Sequence, residues 1–520
     1  MPIRIKKDSG SNSSRQKRIP RGQRRSSSSG RGSGLAGILL PLLIKLFKSN
    51  PKIAILLIVL GIGGYFLLSK SDVNTNQSSL NTLLFSTGLE MKESIYDQAE
   101  VFEPLADNIN NPLPESISLE EYCPERMNQG GQGSCVGWSS AYAARTIMQA
   151  RATGKDPNKV SFSPAYLYNQ IALPNCQGTY LQNAMKVMNE GGLLPFSRFA
   201  YNEESCAKKP NSMEIQAASA YKIKGFNRLS KDGDDYSTDL LAIKQNLAQG
   251  APVVIGMMVG GSFMSEMRGK KLWTPTRSDY AMQHFGGHAI CVIGYDDYYE
   301  GGAFQIMNSW GRDWGQDGLF WIRYNDFEYF TREAYGLYPM SNADAPTTSV
   351  LDVELGLVAN ATGRNIPLAH QSGILYTTQK RMDINTEFKV EVRNSLECYT
   401  YIFGAESDGS SYVLFPYTKK HSPYCGITGT RLFPKDHSLY PDELGNRDYI
   451  AIVISRQNLN YNQLNEAINQ SAGNTYQEKV YNSLASELDN SVQIKTGSKI
   501  SFSSKEAMKN TVAVVLGIDK

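Results

Sequence analysis

Histidine is scarce in this chain, with five in 520 residues, and cysteine is little commoner, at seven. No metal-ligand motif, phosphate-cradling loop or dinucleotide fingerprint stands out, so neither a metal nor a cofactor is expected, and the Gly-rich pieces read as turns or linkers. Charge of one sign is also lacking overall. Lys and Arg number 53 against 50 Asp and Glu, a net charge of +3, which excludes a nucleic-acid binder as the reading of the whole chain. Seven is an odd count of cysteines, and it suits one reactive thiol plus up to three bridges. The length predicts two or three domains.

What positive charge there is lies at one end. Residues 1–34 are rich in Arg, Lys, Ser and Gly, with Asp8 the only acid. Such a composition cannot bury a core and is expected to be a disordered, basic cytoplasmic tail. Apolar sequence follows in two runs. Residues 35–47 are broken by Pro41 and Lys45, and read as an interfacial helix or one arm of a hairpin. Residues 53–68 carry no charge and are bracketed by Lys52 and Lys70. This run is slightly short of the roughly 17–25 residues of a typical span, but lysines at its ends can snorkel. It predicts a single-pass membrane helix with the Met1 end in the cytoplasm and everything after Lys70 outside, in the periplasm of a two-membrane host. A two-pass hairpin would return the catalytic region to the cytoplasm. No small-x-small cleavage site follows the run, which argues against a signal peptide. Residues 71–112 form a polar connector, whose part at 89–106 is acidic and partly apolar and reads either as lying on the next domain or as a short plug.

The most informative residue is Cys135, in Gln129-Gly130-Gly131-Gln132-Gly133-Ser134-Cys135, directly before an apolar-periodic run. Residues 136–148 predict a helix with Ala141, Ala144, Ile147 and Met148 on one stripe. Cys135 then lies near the helix N-terminus, where backbone N–H groups favour a thiolate, and a cationic imidazole adds to this. Two of the five histidines, His284 and His288, fall in the same region. His288 opens an unbroken apolar run, Ala289-Ile290-Cys291-Val292-Ile293, that reads as a buried strand; His284 reads as a loop residue. Asn308 ends another strand-like run and can orient an imidazole. Gln129 stands six residues before the thiol and can supply an oxyanion donor. A thiol, an imidazole and an amide in that order are the parts of a cysteine-nucleophile hydrolase.

Gln129…Gly133-Ser134-Cys135, Gly287-His288-Ala289 and Asn308-Ser309-Trp310-Gly311, followed by Trp314-Gly315, resemble the papain-like cysteine peptidases over residues 119–339. The resemblance implies Cys135 as nucleophile, His288 as general acid/base, Asn308 as orienter, Gln129 in the oxyanion hole, and Trp310 at the cleft as the shield of the His–Asn bond. It implies an α+β domain over residues 113–340, with a helical lobe carrying Cys135 and a β-barrel lobe carrying His288 and Asn308. Protein or peptide substrates are implied too. The sequence departs from the family at Gln132, where a Cys is usual, and at Val136, where an aromatic is usual. Cys176-Gln177-Gly178-Thr179-Tyr180 is similar to the family's substrate loop, which makes Gly178 and Thr179 substrate-binding candidates. Thr179 replaces a Gly, and is expected to narrow the cleft or change the binding mode. Cys176 and Cys206 resemble family cysteines, so a bridge is implied there. No long helical pro-segment of the kind common in lysosomal relatives is visible. A catalytically silent scaffold that binds partners through the cleft is the alternative.

Residues 341–349 read as a small-residue linker and residues 350–520 as strand-rich. Phe388-Lys389-Val390-Glu391-Val392 alternates, Tyr449-Ile450-Ala451-Ile452-Val453-Ile454 reads as a buried strand, and residues 459–488 carry helical spacing. Cys398 and Cys425 flank a strand pair and are candidates for a second bridge. Residues 403–408, 414–416 and 449–454 resemble a bacterial β-rich accessory domain of unknown function, which predicts a β-sandwich-like module for binding proteins or positioning substrate.

Overall fold

The computed structural model describes residues 3–8, 86–338, 350–504 and 511–520. The expected span at 53–68, the run at 35–47, the remainder of the basic tail and the linker at 341–349 lie outside them. Among the described residues no helix is long and apolar enough to cross a membrane.

The helical half of the peptidase region is organised by one continuous helix, α1. It runs through Cys135–Gly137, a π-wound stretch Trp138–Arg145, and Thr146–Thr153. The predicted stripe of apolar residues proves to be a fully enclosed helix, since every residue from 132 to 148 is buried. Small side chains make this possible. A Cβ on Gly137 would sit 2.6 Å from the Pro164 carbonyl oxygen, so the helix Pro164–Ile171 packs directly on its backbone. Gly154, in the left-handed region at φ 63°, ends α1. Ser163 caps the neighbouring helix by accepting from the Tyr166 N–H.

The other half is an antiparallel sheet of β2 (Ser116–Ser118), β3 (Phe226–Arg228), β4 (Val253–Val259), β5 (Gly286–Asp296), β6 (Ala303–Met307), β7 (Leu319–Arg323) and β8 (Thr331–Leu337). Its order is β3-β8-β4-β5-β6-β7, with β2 on the far end of β5. The two outer strands, β3 and β7, do not pair. The expected barrel is therefore an open, seven-stranded sheet, because closure needs its first and last strands to hydrogen-bond. Residues 288–295 of β5 are buried without interruption, as the apolar run predicts.

Residues 350–504 and 511–520 form a β-sandwich. One sheet is built on Leu351–Ala359 and Phe388–Asn394, the other on Cys398–Ala405, Arg447–Ser455 and Thr511–Asp519. Ile450, Ile452 and Ile454 face the first sheet, among Leu355, Leu357, Val390 and Val392. Ala451 and Val453 face the helices Tyr461–Gln470 and Tyr476–Ser483. A strand covered on both sides reads as a continuous apolar run, which is why this one was legible.

The first sheet holds an unexpected strand. Residues Ile3–Lys7, here β1, pair antiparallel with His437–Pro441. The tail is thus not structureless at its start. Averaged composition hid the alternation Ile3-Arg4-Ile5, and Ile3 is fully buried in the sandwich core. Asp8 follows and meets Lys389 Nζ at 2.8 Å. Lys389 also donates to the carbonyls of Pro434, Lys435 and His437. Simple alternation would leave Lys389 and Glu391 in water, but both are buried, the first by these partners and the second beside Lys499 and Asn365.

The connector before the peptidase domain lies between the two domains. Glu103 on it is buried; Tyr417 donates to its Oε1 at 3.0 Å, and Arg431 Nε donates to its backbone carbonyl at 3.0 Å. Burial pushes the Glu103 carboxyl up to about 8, against the opposing pull of Lys435, Tyr417 and Arg431. An unfolded Glu titrates near 4.5. Between these values the folded protein binds the extra proton, so this group's contribution to stability is largest in acid and is lost as pH rises. Relative to Glu103→Gln, the wild type should lose stability between pH 5 and pH 8, by at most about 4 kcal/mol. Thermal unfolding of both proteins at the two pH values measures this; parallel shifts would show that Glu103 is not the responsible group.

Candidate active site

The fold brings together the residues that the sequence singles out. Cys135 is the first residue of α1, and its Sγ accepts from the Ala289 N–H at 3.4 Å. His288, the residue before, lies on β5 opposite Met257 of β4. Asn308 directly follows β6. Its Oδ1 lies 2.8 Å from His288 Nε2. The Ser309 backbone N–H also donates to that atom at 2.8 Å, and a backbone N–H can only donate, so the atom is an oxygen. His288 Nε2 must then carry the hydrogen. Nδ1 is left as the lone-pair nitrogen, buried and without a hydrogen-bond partner, and it is the atom able to take a thiol proton.

Trp310 stacks on the His288 ring, with centroids 4.3 Å apart and planes 23° off parallel. It is backed by Phe263 and Trp314, which keeps water from the His288–Asn308 bond. Gln129 is held from both sides. Its N–H donates to the Ser309 carbonyl at 2.8 Å, and its Oε1 accepts from Ser309 Oγ at 2.7 Å. These bonds turn its Nε2 toward the cleft. His284 is elsewhere, exposed on a loop at φ 59°.

The cleft is filled by the chain itself, at residues 86–91. Gln129 Nε2 and Trp310 Nε1 donate to the Ser86 carbonyl at 2.9 and 3.0 Å. The Gly88 and Leu89 N–H groups donate to the Gly287 carbonyl at 3.3 and 3.1 Å. The Thr179 N–H donates to the Gly88 carbonyl, and the Glu90 N–H to the Thr179 carbonyl, both at 2.9 Å. Only glycine fits at the crossing. A Cβ on Gly88 would lie 2.0 Å from the Gly133 oxygen, and one on Gly178, 2.3 Å from the Gly88 oxygen. Of the two sequence readings of this stretch, the plug is the one the fold adopts for Leu89. Sequence reasoning passed over Ser86 and Gly88; a lone Gly in a polar connector carries no periodic signal.

Thr179 does not narrow the cleft by its side chain. Its Oγ1 is turned away to the Ile171 carbonyl at 2.7 Å, while its backbone pairs with the strap. Thr179 thus pairs with the strap through its backbone, and Gly178 leaves room for the strap at Gly88.

The strap also sets the electrostatics. Burial pushes the Cys135 thiol up to about 12, although the N–H groups of Ala289, Val136 and Gly88 pull the other way. Burial pushes His288 down to about 4. Both shifts oppose the thiolate that the helix N-terminus favours, because a charge pair under the strap would have no water.

Cys176 and Cys206 are disulfide-bonded, tying the substrate loop to residue 206. Cys398 and Cys425 stand opposite each other on paired strands but are thiols, with Cys425 Sγ 3.4 Å from Thr400 Oγ1. The second expected bridge is not formed in this structure; the two thiols lie side by side, and Cys425 also reaches Thr400 Oγ1 and the Pro423 carbonyl. Cys123 and Cys291 are buried thiols.

With this geometry in place, residues 113–340 match the family described as papain family cysteine protease. These residues form a papain-family cysteine protease domain. An uncharacterized peptidase C1-like protein of Acanthamoeba polyphaga mimivirus is 30% identical over 220 residues, 41% of this chain and 66% of the relative. A cathepsin B-like protein of Giardia intestinalis is 29% identical over 227 residues, 40% of this chain and 68% of the relative. The chain thus spans about two thirds of the length of these relatives. Xylellain, a cysteine protease from Xylella fastidiosa, superposes with a TM-score of 0.40 at 23% identity, over 49% of this chain and 96% of that structure. The matched span contains Gln129, Cys135, His288 and Asn308, the four residues that the sequence singles out.

Proposed function

We propose that this chain is a latent cysteine peptidase that hydrolyses peptide bonds in protein or peptide substrates, with its own residues 86–91 as the bar to activity. One observation carries the reading: the Ser86 carbonyl occupies the Gln129 amide that a substrate carbonyl would need.

Once the strap leaves, water and the first N–H groups of α1 favour the charged pair. Cys135 Sγ gives its proton to His288 Nδ1 and attacks the substrate carbonyl carbon. The C–S bond forms, and the developing oxyanion is held by Gln129 Nε2. His288 returns the proton to the leaving nitrogen as the C–N bond breaks, leaving a thioester. Water, losing its proton to His288, releases the acid and restores the thiol. Asn308 holds the imidazole in the productive tautomer throughout.

The test is Gly88→Val in the full chain, since its side chain cannot pass Gly133. This variant should cut a peptide library at least about 10-fold faster than the wild type. A variant that binds no strap and still cuts nothing would return the reading to a silent scaffold.

Attachment to a membrane through residues 53–68, and a bacterial source, rest on sequence alone. The pairing of β1 with the sandwich requires residues 3–8 and the sandwich to share one side of any bilayer. A single crossing would separate them, so the single-pass arrangement gives way to two crossings, with residues 35–47 as the second arm, or to none. The Cys176–Cys206 bridge favours an oxidising, extracytoplasmic side for the catalytic domain. A reporter that fluoresces only in the cytoplasm should stay dark whether fused before Met1 or after Lys520; a bright signal from either end would refute this topology.

A further inference from the structure

We infer that the C-terminal sandwich is the anchor of the inhibitory strap: it binds the connector at residues 97–106 as an added strand, and so controls whether the cleft is open. This rests on the latency proposed above. The strap leaves the cleft after Met91 and enters a short helix, Glu93–Tyr96, so little slack separates it from the connector. The connector is then paired on both edges. The Glu100 carbonyl and the Phe102 N–H bond to Arg228 of the peptidase sheet, at 2.9 and 3.1 Å. Val101 between them turns the other way. Its N–H donates to the Lys420 carbonyl at 2.6 Å, and its carbonyl accepts from the Ser422 N–H at 3.0 Å. Val101 is buried, and alternate residues thus face alternate domains, as in the central strand of a sheet.

Side chains follow the same division. The Asp97 carboxylate takes Arg228 and Tyr236 of the peptidase, at 2.9 and 2.8 Å, and Lys420 of the sandwich at 3.3 Å. Further along, the Ala106 N–H donates to the Thr430 carbonyl at 2.9 Å, and Asn111 pairs with both backbone groups of Thr430. If the sandwich moves away, the connector becomes an edge strand with unpaired backbone groups, and Glu103 loses its cover. The peptidase holds only one side of it. A ligand that engages the Lys420–Ser422 and Thr430–Arg431 surface, or draws the sandwich aside, therefore frees the strap without touching the cleft. The sandwich is a control module for Cys135, where the sequence suggested only a binding or positioning one.

Two full-chain variants test this. Lys420→Glu is a partly exposed change that sets like charge against Asp97 and Asp234. Val101→Pro removes the N–H given to Lys420 and leaves both domains unaltered. The readout is the alkylation rate of Cys135 by an epoxide probe, with Gly88→Val as reference. Both anchor variants should raise that rate at least about 10-fold over the wild type, toward that of Gly88→Val. The buried thiols Cys123, Cys291, Cys398 and Cys425 should stay unlabelled in folded protein. If Val101→Pro labels them as well, it has unfolded, and Lys420→Glu alone decides. Fast labelling of Gly88→Val with wild-type rates in the anchor variants would overturn the anchor and leave latency standing. Slow labelling of all three would overturn both.

Discussion

Replacing Cys135 by Ala, in a chain already opened by Gly88→Val, is expected to remove peptide hydrolysis, by a factor on the order of 10⁶. No other thiol can stand in. Cys123, Cys291, Cys398 and Cys425 are buried away from the cleft, and Cys176 and Cys206 are bonded to each other. The fold should survive, because Cys135 starts α1 with backbone bonds that Ala preserves, and the bond its Sγ accepts from Ala289 is long, at 3.4 Å. Unchanged thermal unfolding beside lost turnover is the expected pair of results; residual turnover would remove Cys135 from the mechanism. Gln129→Ala should cost less, about 10²–10³-fold, since one oxyanion donor is lost while thiol and base remain. It also strands Ser309 Oγ, so its unfolding temperature should drop where that of Cys135→Ala does not.

The second large effect is at the base. His288→Ala in the same opened chain should lower turnover on the order of 10⁴-fold or more. Alkylation of Cys135 near pH 6 should slow with it, because the thiolate loses its proton acceptor. His284→Ala should leave both rates close to their starting values, being an exposed loop residue outside the cleft. A reversed pattern would move the role to His284. Asn308→Ala should fall between the two, because its oxygen fixes which imidazole nitrogen carries the hydrogen but exchanges no proton itself.

The candidate site was legible in the sequence because each of its members sits at an element boundary that leaves a local signature. Cys135 precedes a helix, His288 opens an apolar strand, and Asn308 closes one. Local periodicity fixes such boundaries, and chain order then supplied the rest. The sandwich core was legible for the same reason, in the run from Tyr449 to Ile454. The partners of Gln129 are another matter. That its amide faces the Ser86 carbonyl depends on residues 43 apart meeting in space, and nothing in a polar connector marks Ser86 or Gly88 as filling a cleft.

Closure of the sheet, the fate of Cys398 and Cys425, and the strand at Ile3–Lys7 were likewise decided by pairing at long range. A thiol opposite a thiol stays reduced here beside a threonine hydroxyl, and a basic tail begins with two alternating isoleucines, one of which finds a core. The ionisation of the site shows the division most clearly. Sequence placed Cys135 at a helix N-terminus, which favours a thiolate. The tertiary structure lays a strap over it, and burial then outweighs those few N–H dipoles, because a charge without water is far costlier than a helix terminus can repay. Residue order thus determined which atoms can react; long-range packing determined that in this state they do not.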